Sequence, residues 1–487
     1  MGIRFITGTL ALGAVVPAVM AQDNPFRDFN VIYILADDLG YGDIGCYGQE
    51  KIETPNIDRL ASQGMLFTDH YCGTSVSAPS RSALLTGLHT GHTPIRGNKG
   101  GVGHGANEGQ QPLPEGTYTI ANVFHDAGYR TGAFGKWGLG YPGSEADPTV
   151  MGFDEFYGYN CQALAHKYYQ EYIWHNRDTV WLTGNDLVNK MHYAPDTIHA
   201  QAMKFIRDNR DGKFFAFLPY ILPHAELMPP DDDLMKKYRG RFDEKPFVRK
   251  NGIGDYTPQG RSRIKYSSQP EPYAAFAAMV SRLDRYVGDV MALVDSLGIR
   301  EKTVIVFTSD NGPHREGGAN PKFFKSAGPF RGGKKDLWEG GIRAPLIVSC
   351  PGRIAPGSVS RHVSAFWDMM PTFAEMVGRE LPVKTDGLSI LPTLTGKDGQ
   401  PRHEYLYWEF HEQGGKMAVR LGDWKGVRLN VMEDADARIQ LYDLATDPHE
   451  DNDVADAHPD VVKRIGAIMR EAHIPSVLFP LGKADKD

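Results

Sequence analysis

The sequence predicts an α/β fold: a large, mostly parallel sheet between layers of helices, followed by a small antiparallel sheet with one helix. Three observations predict it. Short apolar, β-rich runs alternate with helical patterns through residues 22–400. Polar, chemistry-bearing residues follow directly after several of those runs. Past residue 400 the short runs succeed one another with turns between them, and one helical pattern closes the chain. A chain of 487 residues accommodates one large domain and a small one, and 41% hydrophobic with 23% charged residues is ordinary globular composition.

Residues 1–21 read as a signal peptide. Arg4 is the only charge, an apolar run follows, and Val19 and Ala21 stand at −3 and −1 of a cleavage site. An exported protein, periplasmic or secreted, is therefore expected. No other run is long enough for a membrane span. The expected domains are residues 22–400 and 401–487. A net charge of −7 without a basic run argues against nucleic acid as a partner. Cys46, Cys72, Cys161 and Cys350 lack metal-type spacing, and both free thiols and pairing remain open.

"NVIYILADD", residues 30–38, is an apolar strand ending in two acids. "TPNIDRLASQG" is a helix with Thr54 as cap, Pro55 at the first position and Gly64 as stop. "SAPSRSALLTG" begins at Ser77 and reads as a helix with Ser77 as N-cap before Pro79. "TYTIANVFHDAGY" and "RTGAFGKWG" form a helix and a strand; two further stretches, ending in "FFAFLPYILPH" and "TVIVFTSDNG", repeat that order. Residues 228–268, rich in charge, Pro and Gly, read as a long loop. "EYLYWEF", "KMAVRLGDWKGVRL" and "IQLYDL" are the small sheet, and "PDVVKRIGAIMREA" its helix.

In parallel sheets the ligand site lies beyond the carboxyl ends of the strands. Asp37, Asp38, Lys136, His224, Asp310 and Asn311 all stand at such ends. Adjacent carboxylates repel unless a cation neutralises them, and hard oxygen donors suit Ca²⁺ or Mg²⁺. A turn or loop start explains either acid pair alone; two pairs in one sheet point to a shared divalent site. Ser77 is a cap when read alone. A helix N-terminus also attracts anions, however, and Arg81 follows one turn on.

"LADDLGYGD", "TPNIDRLASQG", "SAPSRSALLTG", "GKWGLG", "TSDNGP", "KKDLWEGGIRAP" and "LYDLATDPHEDNDVA" occur in this order. With them the chain resembles type I, formylglycine-dependent sulfatases of the arylsulfatase-like kind, in the alkaline-phosphatase-like superfamily. The resemblance covers nearly the whole chain beyond the signal peptide and implies a mixed, mostly parallel sheet. It implies that Ser77 is a serine-type precursor of formylglycine (3-oxoalanine), converted by a maturation enzyme that works without oxygen, in a bacterium. It implies one divalent cation, Ca²⁺ before Mg²⁺, held by Asp37, Asp38, Asp310, Asn311 and the modified Ser77. The formylglycine hydrate would attack sulfur, leave a covalent sulfate hemiester and then expel sulfate. Arg81 would hold the formylglycine. Lys136 and Lys334 would contact sulfate, and His224 would protonate the leaving oxygen.

One position departs from the pattern. Many sulfatases carry Gly-Lys-Trp-His-Leu-Gly where this chain reads "GKWGLG", so the usual histidine is Gly138. His166, in "CQALAHKYYQEYIW", is the expected replacement base, and His314, in "NGPHREGG", is expected to bind substrate. The implied function is hydrolysis of sulfate esters of carbohydrates, such as galactose or N-acetylgalactosamine sulfate in host or algal glycans. Two alternatives stand beside it: a phosphatase or phosphodiesterase using unmodified Ser77, and a glycan-binding protein without activity. Oligomeric state is open.

Overall fold

The computed structural model describes residues 26–186, 188–249 and 266–486, so the expected signal peptide lies outside the described residues. A ten-stranded sheet forms the centre. Its five middle strands, Thr303–Ser309, Asn30–Ala36, Phe214–Pro219, Arg130–Lys136 and Glu155–Tyr159, run parallel in that spatial order. Tyr172–His175 and Asp178–Trp181 extend one side antiparallel. Leu346–Ser349, Met65–Phe67 and Ser358–Ser360 extend the other, with antiparallel pairings before a last parallel one.

The unbroken apolar run of Asn30–Ala36 follows from its central place. Val31, Tyr33 and Leu35 enter one core, while Ile32, Ile34 and Ala36 enter the core on the opposite face. Helices Ser77–Thr86, Ile120–Asp126 and Met369–Val377 cover the first face; Pro55–Ser62, Ala194–Asp208 and Pro272–Ser296 cover the second. Phe124 stacks on Phe215 with ring centroids 4.2 Å apart. Each such fully buried side chain contributes about 1.5–3 kcal/mol.

A second sheet, Leu406–Phe410, Lys416–Leu421, Trp424–Leu429 and Ile439–Asp443, is an antiparallel meander. Helix Pro459–Glu471 lies so close to it that a Cβ on Gly426 would meet Ile465 Cγ2 at 2.6 Å. This sheet is joined to the large one by Trp408, whose Nε1 donates to Cys72 O, and by the buried charges of Glu339, Lys425 and Glu450.

Three local expectations are corrected. Residues 228–268 include the helix Asp233–Tyr238, capped by Asp232 through the N–H groups of Leu234 and Met235. The Thr54 hydroxyl makes no cap bond; it accepts from Gly45 N–H and donates to Asp58. Ser77 is the first residue of its helix rather than the cap, and Val76 holds the cap position without a side-chain bond. The four cysteines are free, three of them buried.

Candidate active site

The carboxyl ends of the parallel strands converge on one cluster of buried charge. Asp37 and Asp38 follow Asn30–Ala36 directly, and strand alternation alone would send them to opposite faces. Asp38 has φ 62°, a left-handed conformation that Asp tolerates better than most residues, and this turn brings both carboxylates into one site. Asp310 and Asn311 follow Thr303–Ser309, which pairs with Asn30–Ala36 along its whole length. Asp38 N–H donates to Asp310 Oδ1 at 3.1 Å.

Ser77 opens its helix against this rim. Its Oγ donates to Asp37 Oδ1 at 3.0 Å, and Lys136 Nζ lies 3.2 Å from the same Oγ and 2.7 Å from Asp37 Oδ2. Arg81, one turn on, grips Asp310 Oδ2 through Nε at 3.0 Å and Nη2 at 2.9 Å, and its Nη1 donates to the Lys136 carbonyl. Lys334 Nζ reaches Asp38 Oδ2 at 2.9 Å, Glu316 Oε2 at 3.1 Å and His224 Nε2 at 3.1 Å. His224 Nδ1 bonds to the Ala225 carbonyl, which leaves Nε2 facing Lys334 and, at 3.3 Å, Asp38. All the predicted residues discussed so far therefore share one site.

Electrostatics follow from burial and pairing. Burial opposes ionisation of Asp37, but Lys136, His224 and Arg81 outweigh it and hold the carboxyl far below the usual range. Asp38 is held low in the same way by Lys334 and His224. Burial and the neighbouring Asp37 push Asp310 up to about 6. Burial lowers Lys136, and burial with Lys334 lowers His224 to about 4, so His224 is neutral near pH 7. Lys334 stays charged because Asp38 and Glu316 overcome its burial.

The donor set fits a hard divalent cation. Asp37, Asp38, Asp310 and Asn311 are all oxygen donors, and Asn311 Oδ1 is buried with no hydrogen-bond partner. Ligand atoms of Asp37, Asp38 and His224 lie within 4.8 Å of one another, as do those of Asp38, His314 and Glu316.

His166 sits over the site on helix Gln162–Ala165 as its C-cap residue. Its ring stacks on His224, centroids 5.1 Å apart and planes 2° from parallel, and its Nδ1 is buried without a partner. Burial, then His224, holds its pKa well below the ordinary imidazole value. His314 is placed differently from the expectation of a free substrate ligand: Nε2 faces the Pro223 carbonyl at 3.2 Å and Nδ1 accepts the Glu316 N–H at 3.1 Å. Both nitrogens are engaged by backbone, so His314 orients Glu316. Glu316 was not legible as a site residue; its only sequence signal was its place two residues after His314. Asn98 and Gln162 also border the site and carried no sequence signal at all.

Fold and site suit a hydrolase of anionic esters, with the Ser77 hydroxyl at a helix N-terminus and fixed cations around it. A family model described as Sulfatase matches residues 29–379, and one described as N-sulphoglucosamine sulphohydrolase, C-terminal, matches residues 332–472. The chain belongs to the sulfatase family and is a sulfuric ester hydrolase. It is 30% identical to an N-acetylgalactosamine-6-O-sulfatase of Bacteroides thetaiotaomicron over 90% of this chain and 92% of that one. It is 32% identical to arylsulfatase A of Homo sapiens over 90% of this chain and 86% of the relative. The crystal structure of Ps i-CgsB in complex with k-i-k-neocarrahexaose superposes with a TM-score of 0.74 at 26% identity, over 91% of this chain and 92% of that chain. No described helix is long and apolar enough to cross a membrane.

Proposed function

We propose that this sulfatase is exported and removes sulfate from carbohydrates, using a formylglycine made from Ser77 by a maturation enzyme and one Ca²⁺ at the strand ends. Residues 22–400 would form its catalytic domain and 401–487 the small domain behind it. The observation that carries the reading is Ser77 Oγ held between Asp37 and Lys136, at 3.0 and 3.2 Å, in a buried cluster rather than serving as a helix cap. The names of the relatives, a hexosamine sulfatase and a protein solved with a carrageenan oligosaccharide, support the substrate class.

Asp37, Asp38, Asp310, Asn311 and the modified Ser77 would hold the cation, which when bound supplies Lewis-acid stabilisation of charge at the sulfuryl group. Arg81, locked on Asp310, fixes the Ser77 helix against that rim. Lys136 steadies the nucleophile oxygen and neutralises charge near it. Lys334 and His224, 3.1 Å apart, hold a proton on the side of the leaving oxygen, with Lys334 as the charged partner. His166, stacked on His224, would serve as the base in place of the histidine that Gly138 lacks.

The test is an assay of the protein co-expressed with an anaerobic maturase, on sulfates of galactose, N-acetylgalactosamine, glucosamine and fucose and on the matching phosphates. Desulfation of a sugar dependent on the aldehyde at position 77 is expected. Faster hydrolysis of phosphates by unmodified protein would overturn the reading.

A further inference from the structure

Gly138 has φ 75°, and a Cβ built on it would stand 3.3 Å from Gln162 Cγ and 3.9 Å from Arg81 Cδ. The space beside Arg81 that a side chain at 138 would enter is filled from another element, by Gln162 at the start of helix Gln162–Ala165. Gln162 is buried, and its Nε2 donates to Asn98 Oδ1 at 3.1 Å. The same Asn98 oxygen accepts the N–H of Ala78, at 3.0 Å, immediately after Ser77. A continuous link therefore runs from the nucleophile helix through Asn98 to Gln162 and the gap at Gly138.

These two bonds orient both amides. Asn98 Oδ1 is engaged twice, so its Nδ2 faces outward as a donor, and Asn98 itself is exposed. Gln162 Nε2 is engaged, so its Oε1 remains as an acceptor. Neither of these two atoms has a hydrogen-bond partner among the described residues, and neither is among the fully buried unpaired atoms. One donor and one acceptor thus belong to a bonded pair of amides anchored to the residue after Ser77, held in place before any ligand arrives.

Arg81 borders the same space, and the cations around Ser77 and Asp38, Lys136 and Lys334, are suited to an anion. A neutral amide pair adds no charge for an anion, and its free oxygen, Gln162 Oε1, repels one; an acceptor beside a donor instead matches hydroxyls, as the few polar groups of a sugar site do. We propose that Asn98 and Gln162 form a hydroxyl-binding subsite for the sugar ring that carries the sulfate. Asn98 Nδ2 donates to one hydroxyl near the ester, and Gln162 Oε1 accepts from its neighbour. The inference rests on the reading of the substrate as a carbohydrate sulfate, and it assigns ring recognition to the space that Gly138 vacates. Pre-orientation through the Ala78 N–H lowers the ordering cost of binding.

The experiment compares wild type with Gln162→Met and Asn98→Ala, each with the aldehyde at position 77 verified by mass. The substrates are 4-nitrophenyl sulfate and the sulfated monosaccharide that wild type cleaves fastest among galactose, N-acetylgalactosamine, glucosamine and fucose sulfates. Each variant is expected to lower the ratio of kcat/KM for sugar over aryl ester about 10-fold, mostly through KM, as loss of one hydrogen bond to a held hydroxyl implies. Equal losses on both esters would make the pair a support for Ser77 and overturn the subsite, as would no loss on the sugar. A wild type that cleaves the aryl ester but no sugar overturns the carbohydrate reading and the subsite together, leaving the sulfatase assignment intact. One that carries the aldehyde and cleaves neither ester overturns both proposals.

Discussion

Lys136 Nζ lies 3.2 Å from Ser77 Oγ, and the two groups bind different oxygens of Asp37. In the proposed mechanism this pairing positions the Ser77 oxygen for reaction. Ser77→Ala should have no measurable activity. Lys136→Ala should lose about 10²–10³ in kcat, the cost of removing one fixed charge or donor from such a site. The Ser77 peptide of active protein should be lighter than plain serine by two hydrogens. Full activity in protein with unmodified serine would refute the maturation step.

Asp310 accepts two bonds from Arg81 and one from Asp38 N–H, with Asn311 Oδ1 unpaired beside it. Chelation should lower both activity and Tm, and Ca²⁺ should restore them. Asp310→Ala should lose the bound ion and about 10²-fold or more in rate, as removal of a charge-stabilising group implies. A crystal soaked in calcium with no ion among these side chains would exclude the site.

His166 stacks on His224 and keeps one ring nitrogen buried and unpaired. His166→Ala should slow regeneration of the aldehyde more than the first transfer, by about 10²–10⁴ if it is the general base. The sulfated Ser77 peptide should then accumulate in mass spectra of enzyme quenched during turnover. Wild-type turnover by the variant would return His166 to a packing role.

Lys425 is fully buried between Glu339 Oε1 at 2.8 Å and Glu450 Oε1 at 3.5 Å, where the small sheet meets the large one. Lys425→Met removes this shared cation: Glu339 keeps only Arg343, at 2.7 Å, and Glu450 keeps none among the described residues. The expected loss is about 3–5 kcal/mol, read as an earlier denaturant midpoint. An unchanged midpoint would show that the two acids find other partners.

Glu409 is buried and bonded to His473 Nδ1 and His411 Nε2, each at 2.7 Å, and to Tyr407 OH, with Arg96 at 3.5 Å. Asp485 faces the other nitrogen of His473. Burial opposes the charge on His473, but Glu409 and Asp485 outweigh it and raise its pKa. A raised histidine stabilises the fold fully below its unfolded pKa of about 6.5, and that contribution fades as pH rises through the folded value. Burial likewise opposes ionisation of Glu409, and its histidines and Arg96 hold it low. Its contribution is present above about pH 4.3 and fades as pH falls towards the folded value. The Tm gap between wild type and His473→Gln should therefore be widest below about pH 6.5 and narrow as pH rises through the raised folded pKa. A gap independent of pH would contradict the pairing.

The sequence alone determined four of the five parallel middle strands and most of the covering helices, because each rests on a local apolar pattern and its stop signals; the short flanking strands carry too little pattern to read. It also determined that Asp37, Asp38, Lys136, His224, Asp310 and Asn311 stand at strand ends, since a parallel sheet collects such ends on one rim. Ser77, Arg81 and Lys334 were legible through the ordered motifs. Tertiary structure alone decided what those residues touch. Ser77 becomes the first helical residue because Asp37 and Lys136, 40 and 59 positions away, bind its hydroxyl. His314 yields one nitrogen to the Pro223 carbonyl, 91 positions away, and the other to the Glu316 N–H of its own loop. Gln162 fills the gap at Gly138 across 24 residues of chain, and Lys425 meets Glu339 across 86. Periodicity records which face of an element is buried. It carries no record of which distant side chain arrives there, because that is set by the packing of whole layers.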